Sequence, residues 1–122
     1  NVWATFCGPC IEEMPALGEL AAEYADKGVQ IIGLVSDALD SDGAISDSQV
    51  GTAKEIVAQT DACYPHLLPS EDLYGVLSQI YAVPTTLFVD SEGAQVGEAI
   101  VTAQSKEDWI TTIDSMLAEV QG

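Results

Sequence analysis

Four residues constrain this chain more than any others. Cys7-Gly8-Pro9-Cys10 stands where a β-branched and aromatic run ends and a helical pattern begins. Residues 2–6 read as the end of a buried strand. From Cys10 to Tyr24 the apolar Ile11, Met14, Leu17, Leu20, Ala21 and Tyr24 recur at helical spacing, with Glu12, Glu13, Glu19 and Glu23 on the other face. A C-x-x-C pair can be half of a zinc site, a structural disulfide, a chance pairing or a redox dithiol. The strand-before, helix-after context favours the dithiol. The first turn of a helix has unpaired N–H groups and a partial positive charge. A thiolate at Cys7 is stabilised there, so its pKa should fall below the ~8.5 of free cysteine. That thiolate is the attacking species in disulfide exchange. Cys10, one turn inside, should be more buried and act second, while Cys7 stays at the surface. Gly8 keeps the approach open, and Pro9 suits a first-turn position whose N–H would be unpaired anyway.

The rest of the chain reads as one domain. At 122 residues with 48% apolar content it can build a core. Pro15 predicts a kink in the first helix, and Lys27-Gly28 an end to it. Residues 29–36 form a near-continuous apolar run, as in a strand buried on both faces. Residues 37–48 read as a loop, 49–60 as a helix, and 61–70 as mostly irregular, with an extended piece around 66–68. Leu73, Val76, Leu77 and Ile80 make another helical stripe. Residues 85–89 and 94–101 form two β runs around an Asp90-Ser91-Glu92-Gly93 turn, and 105–120 an amphipathic helix with Ser105 as N-cap. The order predicts an α/β fold: a mixed central sheet with parallel and antiparallel parts and helices on both sides. No internal repeat is evident. The opening Asn1-Val2-Trp3 reads as the second half of a strand, so we expect a domain fragment whose upstream strand or anchor is missing. Twenty acidic residues against three Lys give a net charge of −17, which disfavours nucleic acid and anionic membrane surfaces. Solubility is the plain reading of that charge, and selection of basic substrate proteins the sharper one. No run of apolar residues is long enough to span a membrane.

Trp3-Ala4-Thr5-Phe6-Cys7-Gly8-Pro9-Cys10 resembles the active site of the thioredoxin superfamily, and Ile11-Glu12-Glu13-Met14-Pro15 is similar to the C-x-x-C-x-x-E-x-P pattern of its TlpA/ResA-like, redoxin branch. Val83-Pro84-Thr85-Thr86-Leu87-Phe88-Val89-Asp90 resembles that family's second landmark, a cis-proline loop leading into a strand. Residues 37–83 resemble the insertion that separates the branch from plain thioredoxin. Phe6 and Ile11 depart from the family's more usual aromatic or charged residues. The N-terminal hairpin and full first strand are not found ahead of the motif, so the first strand of the thioredoxin-like fold is expected to be truncated within a domain of residues 1–122.

The resemblance implies a thiol–disulfide oxidoreductase that reduces disulfides of extracytoplasmic bacterial proteins, with protein thiols and an upstream thiol donor as partners. It implies a periplasmic or outer-face location, reached through a missing anchor, with no metal or organic cofactor. Cys7 would attack and Cys10 resolve. Glu13 would move protons, because a buried carboxylate three residues after Cys10 has a raised pKa and can take the Cys10 proton. Read from the helix alone, Glu13 is equally one more acid beside Glu12. Pro84, in a cis bond to Val83, would face the dithiol and let a substrate strand pair with the Val83 backbone. Read alone, it is an ordinary proline at a strand start. Trp3, Gly8, Pro9 and Val83 complete the expected substrate-binding set, with Trp3 mainly shielding the dithiol.

Two other functions fit part of the pattern. A peroxiredoxin-like peroxidase would want Thr three residues before its cysteine, where this chain has Ala4. A non-catalytic binding module would not need Cys7, Cys10 and Pro84 together. Cys63-Tyr64-Pro65-His66 adds a third cysteine and a formal Cys3His zinc set, but the separation from Cys10 is too long for a zinc ribbon. A buried, inert Cys63 is the expectation, a relay thiol the alternative, and His66 reads as a loop histidine. The Asp37, Asp40, Asp42 loop fails the EF-hand pattern and reads as solvated.

Overall fold

The structure, a computed structural model, describes residues 1–121; the last residue of the expected 1–122 domain, Gly122, lies outside the described residues. Its elements are β1 (Val2–Trp3), α1 (Gly8–Tyr24), β2 (Gly33–Val35), α2 (Asp47–Thr60), β3 (His66–Leu67), α3 (Glu71–Leu77) and α4 (Lys106–Gln121). The order β1-β2-β3 is parallel throughout, with Val2 opposite Leu34 and Gly33 opposite His66. Antiparallel bridges from Val2 to Thr85 and from Thr86 to Ile100 carry the sheet on into residues 85–101. The sheet is therefore mixed, as expected.

The strands are shorter than the sequence predicts, and the pairing explains why. After Trp3 the chain turns, with the Cys7 N–H donating to the Ala4 carbonyl at 3.1 Å, so the expected strand over 2–6 stops at Trp3. The apolar run 29–36 finds neighbours only at its end: Leu34 donates to the Asn1 carbonyl, Ser36 to Trp3 and Gly33 to Pro65, whereas the Val29 N–H returns to Tyr24. Residues 85–89 and 94–101 pair through bridges and reciprocal Thr86–Ile100 hydrogen bonds of 2.9 Å rather than through a long ladder.

The helices follow their apolar stripes. α1 runs through Pro15, which lies on its exposed face. It buries Met14, Leu17, Leu20 and Tyr24. Leu20 has no exposed surface, a burial worth about 1.5–3 kcal/mol. A 3₁₀ turn over Ala25–Lys27 and Gly28 at φ 82° then end the helical run. α1 packs against α2 and α4. At Gly18 a Cβ would meet the Asp61 carbonyl oxygen at 2.3 Å, so only glycine lets α1 approach the end of α2 this closely. On the other side the Tyr24 hydroxyl donates to Asp114 at 2.6 Å, and Lys106 of α4 reaches Glu19 and Glu23 of α1. α4 buries Trp109 and Ile113, and the Ser105 hydroxyl accepts from the Asp108 N–H at 3.2 Å as its cap. Among the described residues no helix is long and apolar enough to cross a membrane.

Two turns share one construction that the sequence reading passed over. Asp40-Ser41-Asp42-Gly43-Ala44 and Asp90-Ser91-Glu92-Gly93-Ala94 each close on their aspartate. In both, Oδ1 accepts from the backbone N–H groups two and four residues on, and the glycine takes a positive φ, 81° and 85°. The carboxylate of Asp40 is thus occupied by its own turn.

Candidate active site

Cys7 is the N-cap of α1, and it forms a disulfide with Cys10 across 5.3 Å between Cα atoms. The Cys10 backbone N–H donates to the Cys7 Sγ at 3.2 Å. The first sulfur thus lies at the positive end of the helix, where an N–H already points at it. Gly8 and Pro9 are exposed beside it. Cys10 is fully buried, and Cys7 keeps only 6% of its surface. The expectation of a surface Cys7 is corrected to that extent, because the disulfide is covered from the far side by the Val83–Pro84 loop. The Val83–Pro84 bond is cis, and the Val83 carbonyl oxygen lies 3.6 Å from the Cys7 Sγ. Pro84 is buried and Val83 half-buried. The two motifs are thereby brought together, though they are 76 positions apart in the chain.

Trp3 has no exposed surface. Its Nε1–H donates to the His66 Nδ1 at 3.2 Å, and the rings meet edge to face at 5.6 Å. A side chain this covered suits the shielding role expected of Trp3. Accepting from Trp3 leaves His66 protonated on Nε2, which faces the Ala62 carbonyl at 3.1 Å. Burial holds its pKa below the ordinary histidine value. Tyr64 stacks against the same ring at 4.5 Å. His66 is thus a packed member of β3 rather than a loop histidine.

Glu13 is buried at 3% exposure. Its Oε1 accepts from Asn1 Nδ2 at 3.0 Å, and its Oε2 from the Gln104 N–H at 2.9 Å and Trp109 Nε1–H at 3.2 Å. Burial raises its pKa above the usual carboxylate range, while these three donors pull it back down. The neighbouring Glu12 is exposed. The two adjacent acids therefore differ in kind, one a buried junction of three chain segments and one a surface charge.

One cluster was not found from the sequence. The Asp37 carboxylate accepts from the Thr5 N–H with both oxygens at 3.1 Å, from the Thr5 hydroxyl at 2.5 Å and from Gln49 Nε2 at 3.2 Å. The partners come from three separated places, so no local spacing announces them. Asp37 was visible only as the first of several loop acids.

Cys63 corrects another expectation. It is exposed and free rather than buried. In the extended stretch after α2, Ala62 and Tyr64 turn inward, which puts the residue between them outward. His66 faces Trp3, so the formal Cys3His set is not assembled. Among the described residues no group of three or more His, Cys, Asp and Glu could hold a metal ion.

Residues 1–117 match the model of the redoxin family. The chain is 35% identical over 108 residues to the thiol-disulfide oxidoreductase ResA of Bacillus cereus, covering 88% of this chain and 56% of that one. It is 30% identical over 118 residues to ResA of Oceanobacillus iheyensis, covering 93% and 55%. It thus spans little more than half the length of these relatives. Among solved structures, a thiol:disulfide interchange protein described as DsbE from Chlorobium tepidum superposes with a TM-score of 0.72 at 24% identity, over 95% of this chain and 76% of that one. A secreted disulfide oxidoreductase of Mycobacterium tuberculosis gives 0.65 at 18% identity, over 97% and 77%. These likenesses establish the fold as thioredoxin-like.

Proposed function

The chain belongs to the redoxin family, and on that premise we propose that it is a thiol–disulfide oxidoreductase that reduces disulfides of protein substrates. The observation that carries the reading is the Cys7–Cys10 pair at the start of α1, with the Val83 carbonyl 3.6 Å from the Cys7 sulfur.

In the reduced protein the Cys7 thiolate attacks one sulfur of a partner disulfide. A Cys7–partner disulfide forms and one partner thiolate leaves. Cys10 then loses its proton and attacks the Cys7 sulfur. The Cys7–Cys10 disulfide forms, the second partner thiolate leaves, and two electrons have passed to the partner. The disulfide of this structure is the end state of that sequence. An upstream dithiol must restore the reduced pair, and no other cofactor enters. Glu13 takes the Cys10 proton, a role favoured by the raised pKa of its buried carboxylate. Pro84 and Val83 form the wall against which an extended partner segment lies, with Gly8 and Pro9 leaving the approach open. Residues 37–83 are the family-type insertion of a single domain. The secreted relative favours an extracytoplasmic location.

The test is a redox titration joined to two variants. A Cys7–Cys10 potential below about −220 mV supports a reductase, and one above about −180 mV points instead to an oxidant or isomerase. Cys7→Ser should reduce exchange with a disulfide-bonded model protein to the uncatalysed rate. Cys10→Ser should accumulate a mixed disulfide at Cys7, seen by mass spectrometry as a covalent adduct. Full exchange activity in Cys7→Ser would remove the assignment.

A further inference from the structure

The Asp37 cluster ties the active-site turn to the insertion. Thr5 lies two residues before Cys7. Both its backbone N–H and its hydroxyl are held by the Asp37 carboxylate. Gln49, in the first turn of α2, closes the cluster. Its Nε2 lies 3.2 Å from the Asp37 carboxylate, 3.1 Å from the Asp37 carbonyl and 3.3 Å from the Thr5 hydroxyl. The Gln49 backbone is fixed in turn, because its N–H donates to the cap residue Ser46. The next residue, Phe6, is 77% exposed and anchors nothing. The turn that delivers the Cys7 sulfur to the Cys10 N–H therefore takes its side-chain anchorage from Thr5.

We propose that Asp37 and Gln49 are positioning residues that hold Cys7 at the N-terminus of α1, so that the insertion carrying α2 sets the reactivity of the dithiol. The proposal rests on the reading of Cys7 as the attacking thiol. A carboxylate near a thiolate acting only through its charge would raise the thiolate pKa, and its removal would lower it. Positioning predicts the opposite. With the clamp gone the turn samples other conformations, the sulfur spends less time against the helix N–H groups, and the thiolate loses stabilisation.

The two effects separate in the pH profile of Cys7 alkylation, read by mass spectrometry on reduced protein carrying Cys63→Ser. Gln49→Leu removes the anchor from α2 without changing any charge. It should raise the inflection pH and slow alkylation at pH 7 roughly threefold to tenfold. Asp37→Ala should move it the same way. Asp37→Asn, which keeps an acceptor oxygen for the Thr5 N–H, should fall between Asp37→Ala and the parent. Thermal unfolding of each variant checks that the fold is retained, and Gln49→Leu decides the matter if Asp37→Ala does not fold. Disulfide exchange by the parent is assayed separately. A parent whose Cys7 alkylates but exchanges no disulfide would remove the functional reading and leave the comparison of profiles intact. A Gln49→Leu profile that overlays the parent, or an Asp37→Ala inflection that moves down, overturns the proposal.

Discussion

The floor beneath the dithiol and the rim above it are built on opposite principles. The floor is Trp3, Cys10 and Glu13, almost without exposed surface, with the half-buried His66 against Trp3, and each polar side chain there has a partner from a distant part of the chain. The rim is Phe6, Gly8 and Pro9, the exposed residues on either side of Cys7, with Phe6 77% exposed. A floor of this kind fixes where the sulfurs sit. A rim of this kind leaves apolar surface that only a partner can cover. Changes in the floor should therefore cost stability first and activity through it, whereas changes at the rim should alter what binds and leave folding alone.

The largest effect should come from the floor at Gly33. A Cβ there would meet the His66 Nδ1 at 2.3 Å, and this nitrogen is the one that accepts from Trp3. Gly33→Ala must push the imidazole off the indole, and overpacking of this kind costs about 1–3 kcal/mol. Urea unfolding should register that loss. The double variant Gly33→Ala/His66→Ala should lose less than the two single changes added together, because the clash is already gone. Strict additivity would mean that the ring is free to move aside.

Glu13 should produce a smaller, pH-dependent change. Its folded-state pKa is raised by burial, so the folded protein binds the proton more tightly than the unfolded chain does. The stability from that proton is complete below the unfolded carboxylate value of about 4.5 and is lost as pH climbs through the folded value. Glu13→Gln removes the titration. Unfolding midpoints of parent and variant should therefore diverge between acid and neutral pH, the parent losing ground as pH rises. Parallel curves would mean that the Glu13 carboxyl binds its proton equally well in the folded and unfolded chains. In stopped-flow exchange the same variant should slow resolution by Cys10 and leave the first attack unchanged.

Legibility from sequence divides along the same line. The dithiol and α1 were readable because each is local: a motif and a 3.6-residue period. The Ser105 cap and the turn at Asp90 were readable for the same reason. The cis Val83–Pro84 turn was legible only through the family resemblance, since an X-Pro pair read alone is an ordinary strand start. The contacts that complete the floor were not legible. Trp3 to His66 and Thr5 to Asp37 join residues 63 and 32 positions apart, and spacing cannot encode them. The strand over residues 29–36 was overextended because apolar content marks burial, while strand length is set by the partners available, here β1 and β3 of two residues each. Cys63 was misplaced because its neighbours Ala62 and Tyr64 carry the inward positions. The repeated turn escaped notice because it is a hydrogen-bonding pattern of five residues, too short to stand out as a repeat.

The smallest effect on folding, and the sharpest test of the contrast, belongs to Phe6. It is adjacent to Cys7 yet contributes little buried surface, so Phe6→Ala should change unfolding free energy by no more than about 0.5 kcal/mol. It nevertheless immediately precedes the cysteine that a partner must approach, and its side chain is open to solvent. Covering an exposed aromatic side chain yields binding energy that the free protein does not have. Phe6→Ala should therefore raise KM for a protein disulfide severalfold, leave kcat close to the parent, and leave reaction with a small disulfide unchanged, because a small molecule cannot reach over the rim. Steady-state kinetics with both substrates measures this. An equal loss toward both would mean that Phe6 acts on Cys7 itself, and the rim would then belong to the machinery that positions the sulfur.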